Sequence, residues 1–226
     1  MAPLVALALV TLSGAPGGLI AAALIFALSG RWDLWNVWAY AAIFVAVFSF
    51  QDLALFRINR DLLKERYWPS TAGSGQLLVI AGLAVVLLHW SIAGLDQRFH
   101  WSDVIPPAGV VAGLALLAAG LGLFASSMLV NPFFSSQVRI QSDRGQRVIS
   151  AGPYAIVRHP GYAGQLVFAV ASGVALNSLF SVVLIVIAIL PLFRRTMVED
   201  RMLHDELAGY ADYAAKVRYR LIPGIW

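Results

Sequence analysis

Cysteine is absent from the 226 residues. That excludes thiolate nucleophiles, disulfide frameworks and Cys-based zinc or iron–sulfur sites, and leaves the redox compartment open. Charge is also scarce, at 12% of residues against about 25% in water-soluble domains. With 60% hydrophobic residues, a soluble globular enzyme and a disordered or fibrous chain are both excluded. No Walker loop, GxGxxG, HExxH or GxSxG pattern occurs. Neither His89, beside Trp90, nor His100 has a carboxylate or second His at metal-ligand spacing, so no metal is expected. The excess of 16 Lys and Arg over 12 Asp and Glu is no nucleic-acid footprint. Those charges separate long apolar runs, where they act as topology signals.

What the chain has in abundance is membrane-length apolar sequence. A spanning helix needs roughly 20 apolar residues. Leu4–Leu28, Leu34–Phe56, Gln76–Ile92 and Val104–Val130 supply four such runs. The first has no Lys or Arg before it and is longer than a signal-peptide core, so it reads as a retained helix. Tyr162–Phe193 is apolar again, and one helix of that length would reach about 48 Å. Asn177 and Ser178, both turn formers, stand near its middle, so a hairpin of two shorter helices is expected.

Charge agrees with the hairpin. Arg57, Arg60, Lys64 and Arg66 follow the second run; Arg139, Arg144, Arg147 and Arg158 follow the fourth; six more lie after Phe193. With six segments, only Arg31 and Arg98 fall on the other side. The positive-inside rule then makes both ends cytoplasmic. The fold class expected is an all-α, polytopic membrane bundle, with residues 1–130 as a four-helix scaffold and 131–226 as the catalytic region. Trp32, Trp35, Trp38, Trp90 and Trp101 mark the outer boundary, Trp68 and Trp226 the inner one, as interfacial belts do. Gly109 and Gly113 form a GxxxG pair expected to allow close helix packing.

The two longest polar stretches, 131–159 and 194–226, fall on the same membrane face under this topology. The first carries Gly152-Pro153-Tyr154, then Arg158-His159-Pro160-Gly161-Tyr162 and Gly164. Pro160 pushes His159 out of helical conformation, and the glycines allow close backbone approach to a ligand. A plain turn at the headgroups accounts for the same residues equally well. The second carries Arg195, Glu199, Asp200, His204, Tyr210 and Tyr213. On a helix continuing past Phe193, Arg195 and Glu199 share a face. Asp205 and Glu206 read as a solvated face, whereas carboxylates six and seven residues past Phe193 are costly without a partner or a task.

These elements resemble the isoprenylcysteine carboxyl methyltransferase family, whose signature is shared with membrane phospholipid methyltransferases. The match is carried by Gly152-Pro153-Tyr154-x3-Arg158-His159-Pro160-x-Tyr162-x-Gly164, then Arg195-x3-Glu199-Asp200-Arg201-x-Leu203, Tyr210, Tyr213 and Leu221-Ile222-Pro223. It covers residues 131–226 and the first four segments only in outline. The resemblance implies an S-adenosylmethionine-dependent membrane methyltransferase without a Rossmann domain. By that resemblance Tyr154, Arg158, His159, Pro160, Tyr162 and Gly164 line the cofactor pocket, and Glu199 and Asp200 complete it. Asp200 stands where the family usually has a second Glu.

If the acceptor is a carboxylate, Arg195 is the orienting candidate. An amine or phenol would need a base, for which His159 or Glu199 is available. The partners expected are a lipophilic, lipid-like methyl acceptor and membrane lipids. An Arg-to-Lys ratio of 14 to 2 resembles GC-rich bacterial proteins, which favours a small lipophilic acceptor in a bacterial inner membrane. Two alternatives stay open: an NADPH-dependent membrane reductase of sterol-reductase type, and a non-catalytic transport or assembly protein.

Overall fold

The computed structural model describes residues 15–67, 74–135 and 137–226. The start of the first apolar run and Trp68 lie outside them. The described residues are helical, without strands. In chain order the helices are α1 (Ala15–Ser29), α2 (Trp35–Ile58), α3 (Arg60–Tyr67), α4 (Ser74–Phe99), α5 (Pro107–Val130), α6 (Pro160–Ala175), α7 (Leu179–Glu206) and α8 (Tyr210–Lys216). Among the described residues, four stretches are long and apolar enough to cross a bilayer: Trp35–Ile58, Ile80–Phe99, Pro107–Val130 and Leu179–Glu206. Each of the six apolar segments expected from the sequence coincides with a helix in its described part. Of these, α6 has only 16 residues, about 24 Å of helix, and α1 is described over 15. The protein is therefore an integral, multi-pass membrane protein.

The hairpin forms where the turn residues predict it. Helix α6 ends at Ala175, Asn177 takes a left-handed conformation at φ +54°, and Ser178 caps α7 by accepting from Ser181 N at 3.2 Å. The turn is buried, so its carbonyls need donors from elsewhere. Asn36 Nδ2 reaches Ala175 O at 3.0 Å, and Gln97 Nε2 reaches Leu176 O and Asn177 O at 3.0 and 3.1 Å. Asp96 accepts from the Ser178 and Ser102 hydroxyls and from Ser102 N. The third run was expected to end at Ile92. The helix continues to Phe99 because Asp96 and Gln97 serve the turn.

Helices α5 and α6 approach with backbones almost touching. A Cβ on Gly120 would stand 2.5 Å from Phe168 N, and one on Gly113 2.7 Å from Ala175 N. Gly164 faces Gly120 O and Phe124 N at 2.7 Å. Close packing is thus real, but Gly113 pairs with Gly120 along this seam; the neighbours of Gly109 are Ile105 and Pro106. Small residues there let dispersion contacts, which carry helix association in lipid, act over the whole crossing.

Trp32, Trp35, Trp38 and Trp101 are exposed, as an interfacial belt requires. Trp90 is a correction: it is buried and donates to Tyr40 OH at 3.2 Å. His89, beside it, joins Ser172 and Ser181 and so staples α6 to α7.

Candidate functional site

Pro160 opens α6 at its first turn, where a missing N–H costs nothing. It leaves His159 outside the helix at φ −124°, ψ 62°. Across the hairpin, α7 runs past Phe193 to Glu206 and carries its last turns back over that junction. The same-face reading of Arg195 and Glu199 is met at one atom: Tyr162 OH accepts from Arg195 Nε at 2.7 Å and donates to Glu199 Oε2 at 2.5 Å.

Asp200 is the hub beside it. Arg158 grips it bidentately, Nε to Oδ1 at 2.8 Å and Nη2 to Oδ2 at 3.0 Å. His159 Nε2 and Tyr210 OH reach Oδ1 at 3.2 and 2.9 Å, and Arg220 Nε reaches Oδ2 at 2.7 Å. The remaining arm of Arg158 donates to Val217 O and Arg218 O at 2.9 and 2.8 Å. Backbone pairing adds Arg158 N to Tyr219 O and His159 N to Arg220 O, both at 2.9 Å. The segment 217–220 is thereby stitched onto the Arg-His-Pro turn.

The tyrosines are held as neutral donors. Burial, then the charge of Asp200, pushes the Tyr210 phenol well above its ordinary range. Burial pushes Tyr213 up to about 12 and also raises Tyr154. Tyr213 OH donates to Tyr154 O at 2.7 Å, and Tyr154 OH accepts from Asn131 Nδ2 at 3.1 Å.

Part of this network borders a cleft of about 800 Å³, its open mouth included. One wall holds Tyr154, Arg158, His159, Gly161, Tyr162 and Glu199. The end of α7 adds Met202, Leu203 and Leu207, and α8 adds Tyr210 and Tyr213. The connector after α5 also lines it, with Asn131, Phe133, Phe134, Gln141, Gln146, Arg147, Val148 and Ile149. The Glu199 side chain is 26% exposed against 7% for Asp200, so Glu199 is the acid open to a ligand.

Of the site residues expected from the sequence, Tyr154, Arg158, His159, Tyr162 and Glu199 line the cleft. Pro160, Gly164, Arg195 and Asp200 do not border it. Pro160 shapes the turn, Gly164 packs on α5, Arg195 fixes the Tyr162 hydroxyl, and Asp200 ties four side chains together. The connector wall and Arg220 were not foreseen individually. Their one sequence signal was membership of the two long polar stretches. Among the described residues, no three His, Asp or Glu side chains gather as metal ligands would.

Fold and cleft together define a polytopic α-helical membrane protein whose polar site is built by a membrane hairpin and its flanking segments. Residues 111–205 match the model of the isoprenylcysteine carboxyl methyltransferase (ICMT) family. Two curated relatives, each a probable protein-S-isoprenylcysteine O-methyltransferase, come from Oryza sativa subsp. indica and subsp. japonica. Each is 30% identical over 86 residues, 37% of this chain and 45% of the relative. The chain thus matches less than half the length of these relatives. The solved structure of the eukaryotic intramembrane Ras methyltransferase ICMT superposes with a TM-score of 0.62 at 18% identity, covering 91% of this chain and 73% of that one. That likeness establishes the fold. The family resemblance read from the sequence is borne out by these comparisons.

Proposed function

We propose that the protein is an integral membrane methyltransferase that moves a methyl group from S-adenosylmethionine to a lipophilic acceptor, first of all a carboxylate such as that of an isoprenylated cysteine. One observation carries the reading. The wall formed by His159, Tyr162 and Glu199 lies wholly within the segment 111–205 that matches the ICMT family.

The residues present suit the cofactor. Glu199 Oε1 and His159 Nδ1 stand 4.0 Å apart, while His159 Nε2 is engaged at Asp200. An ammonium between them can donate to both, a charge-assisted contact at Glu199. Phe133, Phe134, Val148 and Ile149 provide an apolar wall for a purine.

When bound, S-adenosylmethionine supplies an electrophilic methyl on a sulfonium. The chain's own part is to hold donor and acceptor in line and keep water out. Glu199 and His159 fix the amine end, Arg195 locks Tyr162 against Glu199, and the connector adds to the lining. A carboxylate acceptor is already ionised at neutral pH and needs no base. Arg195 is tied to Tyr162 and does not border the cleft, so that hydroxyl is its route to acceptor orientation. With both ends cytoplasmic, as the basic residues favour, the cleft opens to the cytoplasm.

The test is saturable binding of S-adenosylmethionine to detergent-purified full-length protein with NADPH in parallel, followed by labelled methyl transfer to N-acetyl-S-farnesyl-cysteine. Binding of S-adenosylmethionine alone is expected. Preference for NADPH, or binding of neither by folded protein, overturns the reading.

A further inference from the structure

The polar groups of the cleft differ in how much of their hydrogen-bonding capacity the protein already uses. Arg158 spends its guanidinium on Asp200 and on two carbonyls. Arg139 pairs with Asp143 at 2.8 Å. Arg144, in the same connector, is turned into the loop, with Nη1 on Gln141 Oε1 at 2.8 Å and Nη2 on Pro132 O at 2.9 Å. Arg147, three residues on, lines the cleft, and among the described residues no hydrogen bond or ion pair engages it. Its neighbour Gln146 also lines the cleft. Gln146 Oε1 is occupied by Gln141 N at 2.6 Å, which leaves the Nε2 end to donate elsewhere.

The backbone beneath this pair is fixed. Arg144 N and Gln146 N both donate to Gln141 O, at 3.0 and 3.2 Å, and Gly145 takes the left-handed conformation that closes the turn. Gln141 Nε2 ties the loop to Phe133 O at 2.6 Å. Arg147 follows this braced turn directly, with its side chain exposed, and a planar bidentate anion is the ligand a guanidinium fork matches. Glu199 and His159 also line the cleft, and a cation is favoured beside them. The cleft therefore offers both a cation-favouring and an anion-favouring lining.

We infer that Arg147, assisted by Gln146 Nε2, forms a carboxylate-binding subsite on the connector wall. The inference rests on the methyltransferase reading and adds to it. The carboxylate has two possible sources: the amino-acid end of the methyl donor, or an acceptor that carries its own carboxylate.

The experiment compares wild type, Arg147→Gln and Arg147→Lys as full-length protein in detergent. Affinity is measured for S-adenosylmethionine and for decarboxylated S-adenosylmethionine, which lacks only the anion. KM is measured for N-acetyl-S-farnesyl-cysteine, with the carboxamide analogue as competitive inhibitor. Loss of a charged hydrogen-bond pair should cost about tenfold.

If the donor's carboxylate is bound, wild type prefers S-adenosylmethionine over the decarboxylated form by about tenfold, and Arg147→Gln abolishes the preference. If the acceptor's is bound, donor affinity stays put, KM rises about tenfold and carboxamide inhibition is unchanged. Arg147→Lys, which keeps the charge without the fork, falls between and covers the case in which the Gln variant does not fold. Donor affinity and acceptor KM both within about twofold of wild type overturn the subsite. Wild-type protein that binds no S-adenosylmethionine overturns the methyltransferase reading itself, and the subsite with it.

Discussion

Arg158 holds Asp200 by both sides of its guanidinium fork, at 2.8 and 3.0 Å, across 42 positions of sequence and from one arm of the membrane hairpin to the other. The pair is buried, with side-chain exposure of 7% on each partner. A buried pair of this kind gives little net stability compared with an apolar substitute, but breaking it leaves an uncompensated charge. Its value here is registration, because only one alignment of α6 and α7 brings the two residues together.

Asp200→Ala is expected to destabilise the protein by on the order of 3 kcal/mol, since Arg158 would then lie buried without its anion. Arg220→Ala should cost much less, because that side chain is 37% exposed and solvent screens it. Melting temperatures in detergent for the two variants check the ranking. Equal losses would mean that the outer cation matters as much as the buried one.

Arg195, Tyr162 and Glu199 form one chain of contacts through a single hydroxyl. Arg195→Ala and Tyr162→Phe should therefore each weaken S-adenosylmethionine binding several-fold, and the double variant should do no more than either alone. Additive losses in a titration would show that Arg195 acts on the ligand independently of Tyr162.

Gly120→Ala should destabilise by about 1–3 kcal/mol, because the added methyl meets the α6 backbone, which cannot turn aside as a side chain can. Gly122→Ala, on the same helix, has nothing within 4 Å of the new methyl and should be neutral or slightly stabilising. Thermal melting of the pair separates seam packing from helix propensity. A Gly120→Ala protein as stable as wild type would refute the tight α5–α6 contact.

The folded state holds the Tyr213 phenol up to about 12, and that of Tyr210 higher still. A raised acid favours the protonated form on folding, so its contribution is complete below the unfolded value near 10 and is lost as pH rises toward 12. Melting temperature should be insensitive to these groups up to about pH 9 and fall steeply above pH 10. Tyr213→Phe should start lower at neutral pH and fall less steeply between 10 and 12. Parallel curves for the two proteins would contradict the assignment.

Much of this architecture was legible because membrane burial leaves coarse signals. Run lengths and the scatter of basic residues located the helices, and Asn177-Ser178 betrayed the hairpin turn. The four-residue spacing of Arg195 and Glu199 foretold a shared face. What escaped notice depends on groups the sequence does not display. The acceptors of Arg158 are backbone carbonyls at 217 and 218, and every residue has one. The connector wall has neither helical nor strand period, so nothing singled out Gln146 or Arg147 from the other polar residues of 131–159. Gly164 sat within a motif and was read as ligand-facing, yet its missing side chain makes room for α5. Asp96 was hidden because a hydropathy run stops at the first polar residues even where the helix does not.

The donors to the hairpin turn come from Asn36 on α2 and Gln97 on α4, both earlier in the chain. During biosynthesis these donors emerge before the carbonyls that need them. The two hairpin helices thus meet a finished berth when they are released, and need not carry unpaired carbonyls into lipid to find one. A gene cut between α5 and α6 and expressed as two pieces should regain its fold only when the upstream piece is present in the same membrane.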